Sequence, residues 1–161
     1  MKKTLIFCIS SLMVLAFLSC GDKQVKAPAT SSGGGDMAVQ AINAQASGFS
    51  IDGFNGGGAT MKQNEDFENM KNIVSLVKPL IEKIPDGYVM EITGHCAAYD
   101  SPAMQQSVSK ARAKKVYDEL KKAGAAESKM TYRGAGIDEP IPGLDPKDFK
   151  QRRVSFKAVK K

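Results

Sequence analysis

The sequence predicts an α+β fold in two layers: a mixed four-stranded sheet with two helices on one face, in the order β-α-β-α-β-β. Three observations carry this. Phe67, Met70, Val74, Val77, Ile81 and Ile84 recur at steps of three and four, the period of a helix with one apolar face. Val108, Val116 and Leu120 mark the apolar seam of a second helix. Tyr88, Met90 and Ile92, and later Val154, Phe156 and Ala158, alternate with more polar neighbours as strands do.

The elements follow in order. Phe49, Ser50 and Ile51, with Phe54, predict a first strand, which Gly53 and the run Gly56-Gly57-Gly58 break into a loop. The first helix is predicted over 64–84, with Asn64 as its cap and Glu65 and Asp66 in its first turn. Pro79 lies inside it and predicts a kink or interruption. Pro85-Asp86-Gly87 turns the chain into the strand at 88–93, and Gly94 to Pro102 is a loop. The second helix runs from about Ala103 to Ala123 and ends at Gly124. Met130 and Tyr132 mark a third strand. A long loop from Gly134 to Lys150, with Pro140, Pro142 and Pro146, precedes the last strand. Parallel strands joined through helices are expected to cross over right-handed.

The N-terminal end reads differently. Lys2 and Lys3 precede an apolar run from Leu5 to Leu18, too short for a comfortable membrane span, which ends in Phe17-Leu18-Ser19-Cys20-Gly21. This resembles a lipobox, in which the thiol at Cys20 takes the lipid and residues 1–19 are a signal peptide. Phe17 stands where an aliphatic residue is usual. An ordinary cleaved leader and an uncleaved anchor are the other readings, and Cys20 at the cleavage position favours lipidation. Several acyl chains on one Cys give stable membrane anchoring. By analogy with lipoprotein sorting signals, Gly21 rather than Asp favours the outer membrane. From Gly21 to Ser47 large apolar residues are few and Ser31-Ser32-Gly33-Gly34-Gly35 intervenes, so 20–47 is expected to be a flexible tether. It would span on the order of 25–30 Å, with one short helix at Met37–Gln45. The folded domain is expected at 48–161.

Net charge is +6, and losing Lys2 and Lys3 with the leader leaves +4. The cations form no basic stripe with interleaved aromatics, so nucleic acid is not an expected partner. Of three cysteines, only Cys96 lies in the predicted domain, so no disulfide framework is available within it. An enzyme would have to use His95 and Cys96, but neighbours in extended chain point opposite ways and make a poor nucleophile–base pair. A metal on His95, Cys96 and Asp100 lacks a fourth ligand and familiar spacing. No catalysis, cofactor or metal is expected.

Arg112 is the residue that points to function. It lies four residues after Val108 and four before Val116, inside the apolar stripe. A guanidinium is not desolvated without acceptors, and its fork suits a carboxylate. Glu119 is about 10 Å along the axis, too far for easy contact; Asp100 is nearer. Pattern alone leaves an internal ion pair and a bound ligand equally open.

At this point the residues resemble the OmpA-like, peptidoglycan-associating family. Gly94-His95, then Val108-Ser109-Lys110-Ala111-Arg112-Ala113 and Val116, are similar to its G-H-T-D... L-S-x-x-R-A-x-x-V at the same spacing. Gly134-Ala135-Gly136 resembles its G-x-G, and Gln151-Arg152-Arg153-Val154 its N-R-R-V. The resemblance implies that fold and a site beside the loop after Gly94. There the motif Asp and helix Arg clamp the zwitterionic end of diaminopimelate in the peptidoglycan stem peptide. Arg112 matches the Arg. The Asp position is Ala97, the Thr before it Cys96, and the family's Asn ahead of L-S is Gln105; Arg152 and Arg153 are carried over with their motif. Losing the charged partner should weaken binding by roughly 1.5–3 kcal/mol, about 10–150-fold. Asp100 could substitute, the wall could carry another diamino acid, or wall binding could be lost. The implied function is an outer-membrane lipoprotein with its domain in the periplasm, holding the wall through an altered site. The alternative is a scaffold that binds other envelope proteins.

Overall fold

The computed structural model describes residues 32–98 and 101–161. The predicted leader 1–19, Cys20, the first part of the tether and Asp100 lie outside them. The described chain folds as α1 (Ser32–Ala46), β1 (Ser50–Ile51), α2 (Asn64–Glu82), β2 (Tyr88–Gly94), α3 (Pro102–Lys122), β3 (Met130–Gly134) and β4 (Val154–Lys160). The sheet order is β1-β4-β2-β3. β4 runs antiparallel to both β1 and β2, and β3 is parallel to β2. The last strand therefore inserts between β1 and β2, which α2 connects. This is the mixed four-stranded sheet expected, with three helices rather than two.

The added helix is α1. It occupies residues 32–46 of the stretch expected to be tether. Val39, Ile42 and Ala46 lie at steps of three and four and are buried in the common core. Helical order follows because packing an apolar face offsets the poor propensity of Gly33, Gly34 and Gly35. α1 also closes a sheet edge. β1 pairs only with Val154 and Ser155, leaving the rest of that side of β4 open. The Asn43 carboxamide donates to the Ala158 carbonyl at 3.0 Å and accepts from the Ala158 amide at 2.6 Å, as a neighbouring strand would.

α2 buries Met70, Val74, Val77, Leu80 and Ile81. Its cap is Gln63 rather than Asn64, with Asp66 reaching back to the Gln63 amide at 3.0 Å. The helix continues through Pro79 to Glu82, because Val77, Leu80 and Ile81 hold both sides of the proline in the core. α3 starts at the Ser101 cap with Pro102 in its first turn, and the chain leaves it through Gly124 at φ 89°. α3 packs on β2 and β3, and α2 against α3 and β1. Among the described residues no helix is long and apolar enough to cross a membrane.

Candidate functional site

The site is set by how closely α3 approaches the sheet. Gly94 and Gly134 are paired across β2 and β3. A Cβ on Gly94 would stand 1.9 Å from the Ser109 carbonyl oxygen, and one on Gly134 2.4 Å from Ser109 Oγ. Only glycine at both positions lets the helix sit this low. Ser109 is fully buried there; its hydroxyl donates to the Gln106 carbonyl and accepts from the Gly136 amide, both at 3.0 Å. The glycines of the G-H and G-x-G motifs thus have a packing cause.

One turn further on, Arg112 has no solvent exposure. Its Nε donates to the Gly58 carbonyl at 2.9 Å. One terminal nitrogen donates to the His95 carbonyl at 2.9 Å and Cys96 Sγ at 3.4 Å, the other to the carbonyls of Asn55 at 2.7 Å and Gly56 at 2.9 Å. The five N–H groups of the guanidinium thus meet four backbone carbonyls and one sulfur. The Phe54 ring lies 5.5 Å from its centre. Arg112 therefore ties α3 to the end of β2 and to the β1–α2 loop, which an Asn55 amide to Thr60 carbonyl bond and a Phe54–Met61 bridge close on itself.

The other predicted site residues divide. Cys96 is buried; its thiol donates to the Gln105 carbonyl at 3.3 Å and its amide to the Gly136 carbonyl at 2.7 Å. Ala97, the next residue, is buried, as is Gln105, whose carbonyl the thiol meets. Arg152 lies on the outer side of the triglycine loop, 3.7 Å from where a Cβ on Gly56 would stand. Gly56 thus accepts from Arg112 through its carbonyl and has the Arg152 guanidinium nearby. Arg152 and the exposed Phe149 open onto a cavity of about 260 Å³, also lined by Asp52, Lys62, Gln63 and Asp66. Asp100 lies outside the described residues.

Arg153 does not join this group. Arg153, just before β4, turns to the sheet face away from the helices, on the side of Ser155 and Lys157. There its guanidinium donates to the Glu139 carbonyl at 2.9 Å and Gln151 Oε1 at 3.3 Å. His95 shares that side: its Nε2 is 2.8 Å from Ser155 Oγ, while Nδ1 is buried without a partner among the described residues. Burial, and then the positive charge of Arg153, push the His95 pKa down to about 4, so the ring is neutral at ordinary pH. The His95 ring and the Cys96 thiol diverge to opposite sides of β2. Gln151, which sequence reasoning passed over except as a motif letter, is buried and staples the β3–β4 loop. Its Oε1 accepts from the Ile141 amide at 2.9 Å and its Nε2 donates to the Asp145 carbonyl at 3.4 Å.

Similar proteins share the fold. The model of the OmpA family matches residues 53–153. The C-terminal domain of Helicobacter pylori MotB is similar at TM-score 0.56 and 15% identity, over 70% of this chain and 85% of that one. The OmpA-like domain of FopA1 from Francisella tularensis is similar at TM-score 0.54 and 19% identity, over 68% and 69%. The peptidoglycan-associated lipoprotein from Burkholderia pseudomallei is similar at TM-score 0.53 and 17% identity, over 68% and 89%. No curated protein sequence matches significantly. With the family model covering the loop that receives Arg112, the low-lying helix and the chain up to the last strand, the chain belongs to the OmpA family.

Proposed function

We propose that this chain is a lipid-anchored envelope protein whose domain holds peptidoglycan non-covalently, through the stem peptide, at a site altered from the family pattern. The lipid is on Cys20, the membrane is the outer one, and the domain lies in the periplasm. The observation that carries the reading is that two arginines, Arg112 and Arg152, both approach Gly56. Arg112 anchors the loop from within, and Arg152 borders a cavity with carboxylates and an exposed aromatic ring, groups suited to a peptide that bears both charges. Ala97 supplies no anion at the motif position, so the ammonium of a diamino acid must find another carboxylate; Asp52, Asp66 and Asp100 are the candidates.

One observation favours a second reading. The N–H groups of Arg112 already meet acceptors of the chain itself, which suits a scaffold in which the arginine only ties loops together. Sedimenting the full chain, in detergent, with isolated sacculi separates the two. Wall binding predicts that the protein pellets with sacculi and that Arg152→Gln weakens this by about tenfold, the loss of one charge-assisted contact. A folded protein that stays in the supernatant with sacculi of each wall chemistry would leave the scaffold reading.

A further inference from the structure

A trough of about 540 Å³ crosses the sheet face that the helices leave open. Glu91, Thr93, Arg133, Arg153, Ser155 and Lys157 form its floor, and Glu139 closes one end. Its charges are unevenly paired. Arg133 takes both carboxylates, Glu91 at 2.9 Å and Glu139 at 2.6 Å. Although burial works against the Arg133 charge, those two partners more than offset it. Arg153 is half-buried, and neither it nor Lys157 has a carboxylate within ion-pair distance among the described residues. Burial holds the Arg153 guanidinium below its ordinary pKa, with only Glu139 opposing.

A hydroxyl sits beside Arg153: Ser155 lines the trough, with its Oγ 2.8 Å from His95 Nε2. Three cations against two carboxylates leave one positive charge in excess. A monoanion neutralises it, whereas a phosphate dianion would put net negative charge beside Glu91 and Glu139.

We propose that this trough binds a ligand bearing one carboxylate, a small molecule or a peptide end, held by Arg153 and Ser155 with its body directed along β4 toward Lys157. Arg153 and Lys157 are four residues apart on one face, about 13 Å, which gives the length available. The site is on the far side of the sheet from Arg112, so its occupancy is independent of wall binding.

The test is a titration of the ¹⁵N-labelled full chain, in detergent and at constant ionic strength, with N-acetylglycine, its uncharged amide, inorganic phosphate and chloride. The readouts are the Arg153 side-chain Nε–H and the Thr93 and Ser155 amides. N-acetylglycine should shift them saturably, and the amide and chloride should not. Arg153→Gln should weaken binding at least about tenfold, and Lys157→Gln, an exposed change that spares the fold, several-fold. Lys71→Gln on α2 should change nothing. Equal shifts with chloride or the amide, or full binding by the folded Arg153→Gln and Lys157→Gln proteins, would overturn the proposal. Phosphate binding tighter than N-acetylglycine would overturn the carboxylate assignment. If Arg153→Gln does not fold, Lys157→Gln and the amide decide.

Discussion

Arg112 fills a core position that a leucine would fill at lower desolvation cost, and in return it satisfies four backbone carbonyls. Arg112→Leu leaves the carbonyls of Asn55, Gly56, Gly58 and His95 without that donor, at about 1–3 kcal/mol for each buried group left unpaired, less than additively. We expect a loss of at least roughly 3 kcal/mol in urea unfolding, with faster hydrogen exchange in the 53–61 loop than elsewhere. His95 carries the second prediction at this scale. Arg153, Arg133, Glu139 and the Ser155 hydroxyl surround its ring. Its folded pKa, about 4, is below the ordinary histidine value of 6.5, so between those values the unfolded chain binds more protons. Its stabilisation is complete above pH 6.5 and is lost as pH falls toward 4, on the order of 3 kcal/mol. Urea midpoints from pH 7 to 4 should fall with this signature, and His95→Gln should flatten the curve.

Among the elements, those with strong periodicity were legible: α2 and α3 from their apolar steps, β2 and β4 from alternation. α1 was read as a tether with one short helix because Gly33, Gly34 and Gly35 are poor helix formers, and its few apolar side chains gain their stability only by meeting β4 and α2. The spacing of Val39, Ile42 and Ala46 was the available signal. The interruption expected at Pro79 failed for a related reason: burial on both sides of the proline outweighs one lost backbone bond. Two substitutions test how elements meet. Gly94→Ala forces a methyl onto the Ser109 carbonyl and should cost roughly 3 kcal/mol, the upper end for overpacking, measured by thermal or urea unfolding. Asn43→Ala uncovers the Ala158 amide and carbonyl together. It should cost about 1–3 kcal/mol and speed exchange of that amide before the rest of β4.

For the whole molecule, the sequence located Arg112 but not what holds it. Its acceptors are backbone carbonyls, which have no residue identity to read, and the bulky apolar stripe around it showed only that partners must exist. Arg152 and Arg153 were read as one motif, and the turn that ends before β4 sends them to different places. The domain boundary is the matching test at this scale. A fragment of residues 32–161 should unfold in one cooperative transition. A fragment of 48–161 lacks the buried side chains of Val39, Ile42 and Ala46 and should lose roughly 3–5 kcal/mol, a large share of the 5–15 kcal/mol typical of a domain. The position of α1 has a mechanical consequence. Any pull applied through residues before Ser32 reaches this helix first, and the Asn43 carboxamide holds it to β4 at a single residue, Ala158. Drawing out its 15 residues from 1.5 Å to about 3.5 Å each lengthens the chain by about 30 Å while the sheet stays whole. Pulling from residue 31 and the C-terminus should record that extension as a first, low-force step, which makes α1 an extensible link between whatever tugs on the N-terminal segment and the domain behind it.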